Sequence, residues 1–175
     1  MIAPLQTLER RTKCFAWLGS LKVFISSTNK WPAFKSDAQK NGISVAMALG
    51  EVLPPIEGDR VQLQQVMLNL INNAIQAMSS VDGGSRELLI CSSEAPEGIA
   101  VSVSDSGPGL DRANLKQAFE AFYTTKPGGL GLGLSICRSI IEGHEGRLWA
   151  SANAPRGTTF QFTLPVQGSG VGEGA

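Results

Sequence analysis

The chain has 175 residues, 42% of them apolar and 17% charged, which suits one ordinary folded domain and excludes an intrinsically disordered protein. Fifteen basic and fifteen acidic side chains cancel, so global charge offers no pull on nucleic acid or a membrane surface, and any anionic ligand must be met by local geometry. Three scattered cysteines without a C-x-x-C and a single histidine argue against a disulfide framework or a zinc site and suit a reducing cytoplasm.

Residues 1–34 show no sustained period beyond a possible strand at "LKVFISS", and they stay unassigned. Their "ERRTK" followed by "CFAWLGSL" imitates a leader peptide, but Lys22 cuts the apolar run. No stretch approaches the ~18 consecutive apolar residues of a membrane span. From "FKSDAQKNG" the spacing predicts a short helix stopped by Gly42, then a strand "ISVAMAL" at 43–49 and a loop through Pro54 and Pro55. Asp59 then stands as the N-cap of a long helix, "RVQLQQVMLNLINNAIQAMSS". Its Leu63, Val66, Met67, Leu70, Ile71, Ala74 and Met78 form a core-facing stripe. Two strands at about 86–92 and 99–104, joined by the turn-rich "SEAPEG", are expected to pair antiparallel.

A long connection at 106–130 follows, with a brief helix near "ANLKQAFEAF" and Phe119 and Phe122 as apolar anchors. Loops of that length are usually functional lids or disordered, and this one is flanked by glycines on both sides. A helix over roughly 132–143, a closing hairpin within "GRLWASANAPRGTTFQFTLP" and a glycine-rich tail at 167–175, expected to be disordered, complete the chain. These elements predict an α+β fold, a two-layer sandwich with a mixed, mostly antiparallel sheet and its helices on one face.

Three stretches carry chemistry. The long helix has no charged residue between Arg60 and Asp82 yet bears Gln62, Gln64, Gln65, Asn69, Asn72, Asn73 and Gln76. A solvated face more often carries Glu and Lys, because Asn is a poor helix former. Asn69 and Asn73, one turn apart, offer amide oxygens suited to Mg²⁺, or else form a neutral wet face. "DSGPGL" sets Asp105 at the end of a strand beside backbone-permissive glycines. "GGLGLGLSI" runs a glycine-rich turn into a helix, where backbone N–H groups bind phosphate without net positive charge; a flexible hinge is the alternative.

In their order and spacing, "NLINNAIQAM", "DSGPGL", "FYTTKPGGLGLGLSI" and "RGTTFQFTLP" resemble the ATP-binding catalytic domain of two-component sensor histidine kinases. That family belongs with the gyrase-type, heat-shock-chaperone and mismatch-repair ATPases of Bergerat-type fold. The resemblance covers about residues 35–165, and "FYTTK" is most similar to nitrogen-regulation and related PAS-sensor kinases. It implies ATP and Mg²⁺ as ligands. Asp105 would accept from the exocyclic amine of adenine, with Thr158 supporting the same edge through water, while Gly107 and Gly109 let the chain turn against the base. Asn73, and secondarily Asn69, would hold Mg²⁺. Gly129, Gly131, Gly133 and Leu134 would cradle the phosphates. Asn69 and Lys126 would be the catalytic pair, Lys126 meeting the terminal phosphate unless it is simply a solvated lid lysine.

The family's phosphoacceptor histidine lies on a helical hairpin that is not legible in this sequence. His144 imitates the start of an acceptor motif, but Gly143 and Gly146 predict a turn between the last helix and a strand. Glu145 stands where the family commonly has glycine. The expected activity is ATP:protein-histidine phosphotransfer to a hairpin supplied by another chain or by a longer parent chain, with a response regulator downstream. The alternatives are a slow ATPase, since Asn69 stands where ATPases of this fold have a water-activating glutamate and cannot act as a general base, and a nucleotide-binding interaction module without turnover.

Overall fold

The computed structural model describes residues 14–15, 31–79, 84–96, 98–124 and 130–166. The strand expected at "LKVFISS" and the tail at 167–175 lie outside the described residues. In chain order the elements are β1 (Cys14–Phe15), α1 (Trp31–Lys40), β2 (Ile43–Leu49), β3 (Ile56–Glu57), α2 (Arg60–Ser79), β4 (Arg86–Ala95) and β5 (Gly98–Asp105). They continue with α3 (Arg112–Gln117), α4 (Gly133–Gly143), β6 (Arg147–Ala152) and β7 (Thr158–Leu164).

The main sheet has the order β2-β4-β5-β7-β6, with β2 and β4 parallel and every other neighbour antiparallel. A parallel pair needs a long crossover, and α2 supplies it. The β4–β5 hairpin is tighter than the sequence suggested: Ala95 pairs with Gly98, leaving two residues in the turn. The short β1 pairs antiparallel with β3, a contact with no sequence signal in two-residue strands.

Helix α2 forms where expected because Asp59 Oδ1 accepts from the amides of Val61 at 2.8 Å and Gln62 at 3.1 Å, satisfying two donors that no helical carbonyl can reach. The whole predicted stripe is buried, and so are Leu68 and Ile75. The buried arc is wider than one stripe because α2 packs on the sheet and on α4 at once. Each fully buried aliphatic side chain there contributes about 1.5–3 kcal/mol.

On the sheet, residues alternate across the pleat. Leu88 and Ile90 of β4, Ile99, Val101 and Val103 of β5, Leu148 of β6, and Phe160, Phe162 and Leu164 of β7 face the helices as the core. Three polar residues continue these rows by one step of two: Ser92 after Ile90, Asp105 after Val103, and Thr158 before Phe160. The same alternation that buries the valines therefore carries a carboxylate into the helix-facing layer.

The expected brief helix in the 106–130 stretch is α3, which ends at Gln117, short of the predicted Phe122. Its N-cap is Asp111, whose Oδ1 accepts from Asn114 N–H at 2.7 Å. Phe119 is an anchor as expected, packing edge-on against Phe160 at 6.1 Å between ring centres, with the Arg138 guanidinium 4.7 Å from its own ring. Phe122 is not an anchor. It is 76% exposed, with φ of 67°, so its backbone turns the side chain out of the core.

Candidate functional site

Asp105 ends β5 and is 2% exposed. Its Oδ1 accepts from Gly107 N–H at 2.8 Å and from the backbone N–H of Thr158 at 3.3 Å. Two amides on one oxygen orient the carboxylate and offset part of the cost of burying it. Thr158 thus stands next to Asp105, meeting it through its main-chain amide. The strand end is held from both sides. Ser106 Oγ accepts from Glu87 N–H at 2.8 Å, and Asn153 Nδ2 donates to the Asp105 carbonyl at 3.0 Å.

Gly157, between Asn153 and Thr158, has φ of 109°, and a Cβ there would collide with the Asp105 carbonyl. Only glycine lets β7 start this close to the end of β5. Asn153 was not legible as a site residue, and Gly157, although it lies within "RGTTFQFTLP", was not singled out: the role of each depends on a contact across the β5–β7 pair.

Helix α2 runs beside this corner. Ala77 lies close enough that a Cβ on Gly107 would come within 3.3 Å of its own Cβ. Asn73 and Asn69 follow one and two turns back towards the N-terminus, both half-buried, Asn69 about 12 Å along the axis from Ala77. There α2 meets α4: Asn69 Nδ2 donates to Cys137 Sγ at 3.6 Å. Burial pushes the Cys137 thiol from its ordinary 9.0 up to about 11, with the hydrogen bond from Asn69 acting in the opposite direction, so the sulfur carries its proton at neutral pH.

Helix α4 begins at Gly133, and its N-cap is Leu132, which provides no side-chain cap. A helix start usually carries Ser, Thr, Asp or Asn to satisfy its first amides. Here those amides, at Gly133 and Leu134, lead in from a glycine-rich turn, and a Cβ on Gly133 would meet nothing within 4 Å. Gly131 has φ of 65°, and its carbonyl accepts from Phe122 N–H at 3.0 Å. A Cβ on Gly131 would come within 2.6 Å of the Phe122 and Tyr123 backbone, so this glycine lets the end of the long connection close on itself.

The structure thus brings Asp105, Gly107, Gly109, Thr158 and Ala77 together near the C-terminal end of α2, and sets Asn69 against α4 at the middle of that helix. Gly109 belongs to the first group because a Cβ there would lie 3.1 Å from the Gly157 carbonyl. Lys126 and Gly129 lie outside the described residues. His144 is in neither group. It caps the far end of α4, where Nδ1 lies 2.7 Å from the Ile140 carbonyl and Nε2 accepts from Asp59 N–H at 2.9 Å. Those partners require Nδ1 to hold the proton and Nε2 the lone pair.

Among the described residues no group of three or more His, Cys, Asp or Glu is placed to hold a metal ion. The neutral amides of Asn69 and Asn73 are hard oxygen donors but too few for a cage. Such a donor set fits Mg²⁺ that arrives with a phosphate ligand and keeps waters in its shell.

The model of the histidine kinase-, DNA gyrase B- and HSP90-like ATPase family matches residues 58–168. Over 148 residues the chain is 40% identical to the sensor histidine kinase TmoS of Ectopseudomonas mendocina, covering 83% of this chain and 15% of TmoS. The chain spans only 15% to 25% of the length of the curated relatives it matches first. The catalytic domain of histidine kinase ThkA superposes with a TM-score of 0.70 at 35% identity, over 83% of this chain and 91% of that domain. ThkA has also been solved in complex with the response regulator TrrA, a comparison that covers 85% of this chain and 41% of that one, with a TM-score of 0.68 at 32% identity. Full-length ShkA in complex with AMPPNP superposes with a TM-score of 0.73 at 26% identity, over 88% of this chain and 31% of ShkA. The chain belongs to the histidine kinase-, DNA gyrase B- and HSP90-like ATPase family, and its fold is the ATP-binding catalytic domain of a sensor histidine kinase.

Proposed function

We propose that this domain binds Mg²⁺-ATP along α2 and transfers the γ-phosphoryl group to a histidine on a separate helical hairpin. The observation that carries the reading is Asp105, a buried carboxylate oriented by two backbone amides at the end of β5. A carboxylate accepts hydrogen bonds, so it selects the exocyclic amine of adenine over the carbonyl that guanine presents at the same place. Gly107 and Gly109 give the base room against Thr158 and Ala77. The uncapped start of α4, with Gly131, Gly133 and Leu134, suits the phosphates, and the resemblance assigns Gly129 and Lys126 to the same task. Asn73 and Asn69 would hold Mg²⁺, which when bound would neutralise phosphate charge. The response regulator in the ThkA complex supports a regulator as the downstream partner, and a cytoplasmic site suits such a relay.

Hydrolysis is the weaker reading, because α2 has no carboxylate between Arg60 and Ser79 to serve as a base for water. Phosphoryl transfer is mostly positioning, so bound ATP waits for a nucleophile placed in line. The deciding experiment incubates the chain with γ-labelled ATP, Mg²⁺ and a panel of acceptor hairpins, and looks for acid-labile label on the hairpin. Nucleotide binding without transfer to any hairpin would favour an interaction module that signals by binding alone.

A further inference from the structure

Asn69 is held from two sides by residues outside the nucleotide-site motifs. Gln65 Nε2 donates to Asn69 Oδ1 at 2.9 Å, and Asn69 Nδ2 donates to Cys137 Sγ at 3.6 Å. Cys137 is fully buried, and its sulfur lies 3.9 Å from the Val66 carbonyl. A carbonyl only accepts, so the weak S–H donor points at Val66 and leaves a sulfur lone pair for the Asn69 amide. As its side chain stands, Gln65 offers N–H to the Asn69 oxygen. Both contacts are made in one amide orientation; the flipped amide would set oxygen against the Cys137 sulfur, and Gln65 would have to turn its own amide to keep its bond.

We infer that Cys137 and Gln65 are positioning residues for Asn69, holding its amide in one orientation at the metal edge of the nucleotide site. This rests on the reading of Asn69 and Asn73 as that edge. Partners behind a metal ligand matter because they fix its rotamer before the ion arrives. Cys137 also joins this edge to α4, whose first turn faces the phosphates, so one thiol ties the two halves of the site together.

The test is the Mg²⁺ dependence of AMPPNP binding, measured by calorimetry on the full chain. Cys137→Val keeps the buried volume and removes the acceptor. Cys137→Ser keeps an acceptor and buries a hydroxyl. Gln65→Leu changes an exposed position and leaves the core intact. The half-saturating Mg²⁺ concentration should rise about tenfold in Cys137→Val and in Gln65→Leu, while AMPPNP affinity in EDTA stays the same. Cys137→Ser should recover most of the Mg²⁺ response although its melting temperature falls below that of Cys137→Val. That crossed order would not arise if the thiol only filled space. Parent-like Mg²⁺ dependence in Cys137→Val and Gln65→Leu, with AMPPNP binding still lost in Asp105→Asn, overturns this role alone. Binding indifferent to both Mg²⁺ and Asp105→Asn overturns the site reading and this role with it.

Discussion

Asp105 and Cys137 are both buried titratable side chains, and their hydrogen-bond surroundings differ. The Asp105 carboxylate has two amide donors on one oxygen, whereas Cys137 has only weak partners. Replacing Asp105 by Asn keeps the shape but removes a charged acceptor, so AMPPNP binding should weaken by about 1.5–3 kcal/mol. Calorimetry on the variant, with GTP as a second ligand expected to bind poorly, checks this. For Cys137 the folded chain holds the proton up to about pH 11, while the unfolded chain releases it near 9.0. The unfolded state therefore binds fewer protons between those values, and stability falls as pH rises through that window. The contribution is fully present below pH 9.0 and reaches a loss of about 2–3 kcal/mol near pH 11. Urea titrations at pH 8 and pH 10.5 should show an alkaline loss in the parent that is smaller in Cys137→Val; equal losses would place its cause elsewhere.

At the scale of elements, the junction of α4 with β6 explains what the sequence only hinted at. His144 joins the end of α4 to the start of α2 through Asp59 N–H, and Glu145 then takes φ of 58°. That is the left-handed conformation that glycine adopts without a steric cost and glutamate does not. The turn expected around Gly143 and Gly146 is present, and Glu145 is the residue that bears its strain. Glu145→Gly should raise stability by about 0.5–1 kcal/mol, the relief of left-handed strain less the entropy cost of a new glycine. Thermal denaturation measures it, and an unchanged or lower midpoint would show that the Glu145 side chain compensates in the turn.

For the whole molecule, a chain without net charge has a site built from main-chain amides, side-chain amides and one buried carboxylate. On the proposed reading such a site would position a nucleotide and leave the nucleophile to the acceptor hairpin. His144 stands at the opposite end of α4 from the glycine-rich turn, a helix of 11 residues or about 16 Å away, and both of its ring nitrogens have partners. The chain alone should take up negligible label from γ-labelled ATP, and His144→Gln should leave that background unchanged. Acid-labile label that disappears in His144→Gln would reverse the assignment of this histidine to structure.

The sequence by itself determined the elements whose causes are local. The α2 stripe, the Asp59 cap and the β2 boundaries follow from side-chain period and capping, which act within a few residues. The proposed nucleotide site was suggested by Asp105 and the glycine-rich turn, whose types and spacings fit poorly in a plain core. Tertiary structure alone decided what depends on residues distant in the chain. The Thr158 amide on Asp105, the contact of Asn153 with the same residue and the Asn69–Cys137 bond each join two elements, and no local pattern encodes them. Phe119 and Phe122 make the same point. Both are apolar and three residues apart, yet one is buried on Phe160 and the other is turned outward by a positive φ, because the glycine-rich turn closes on the backbone of Phe122.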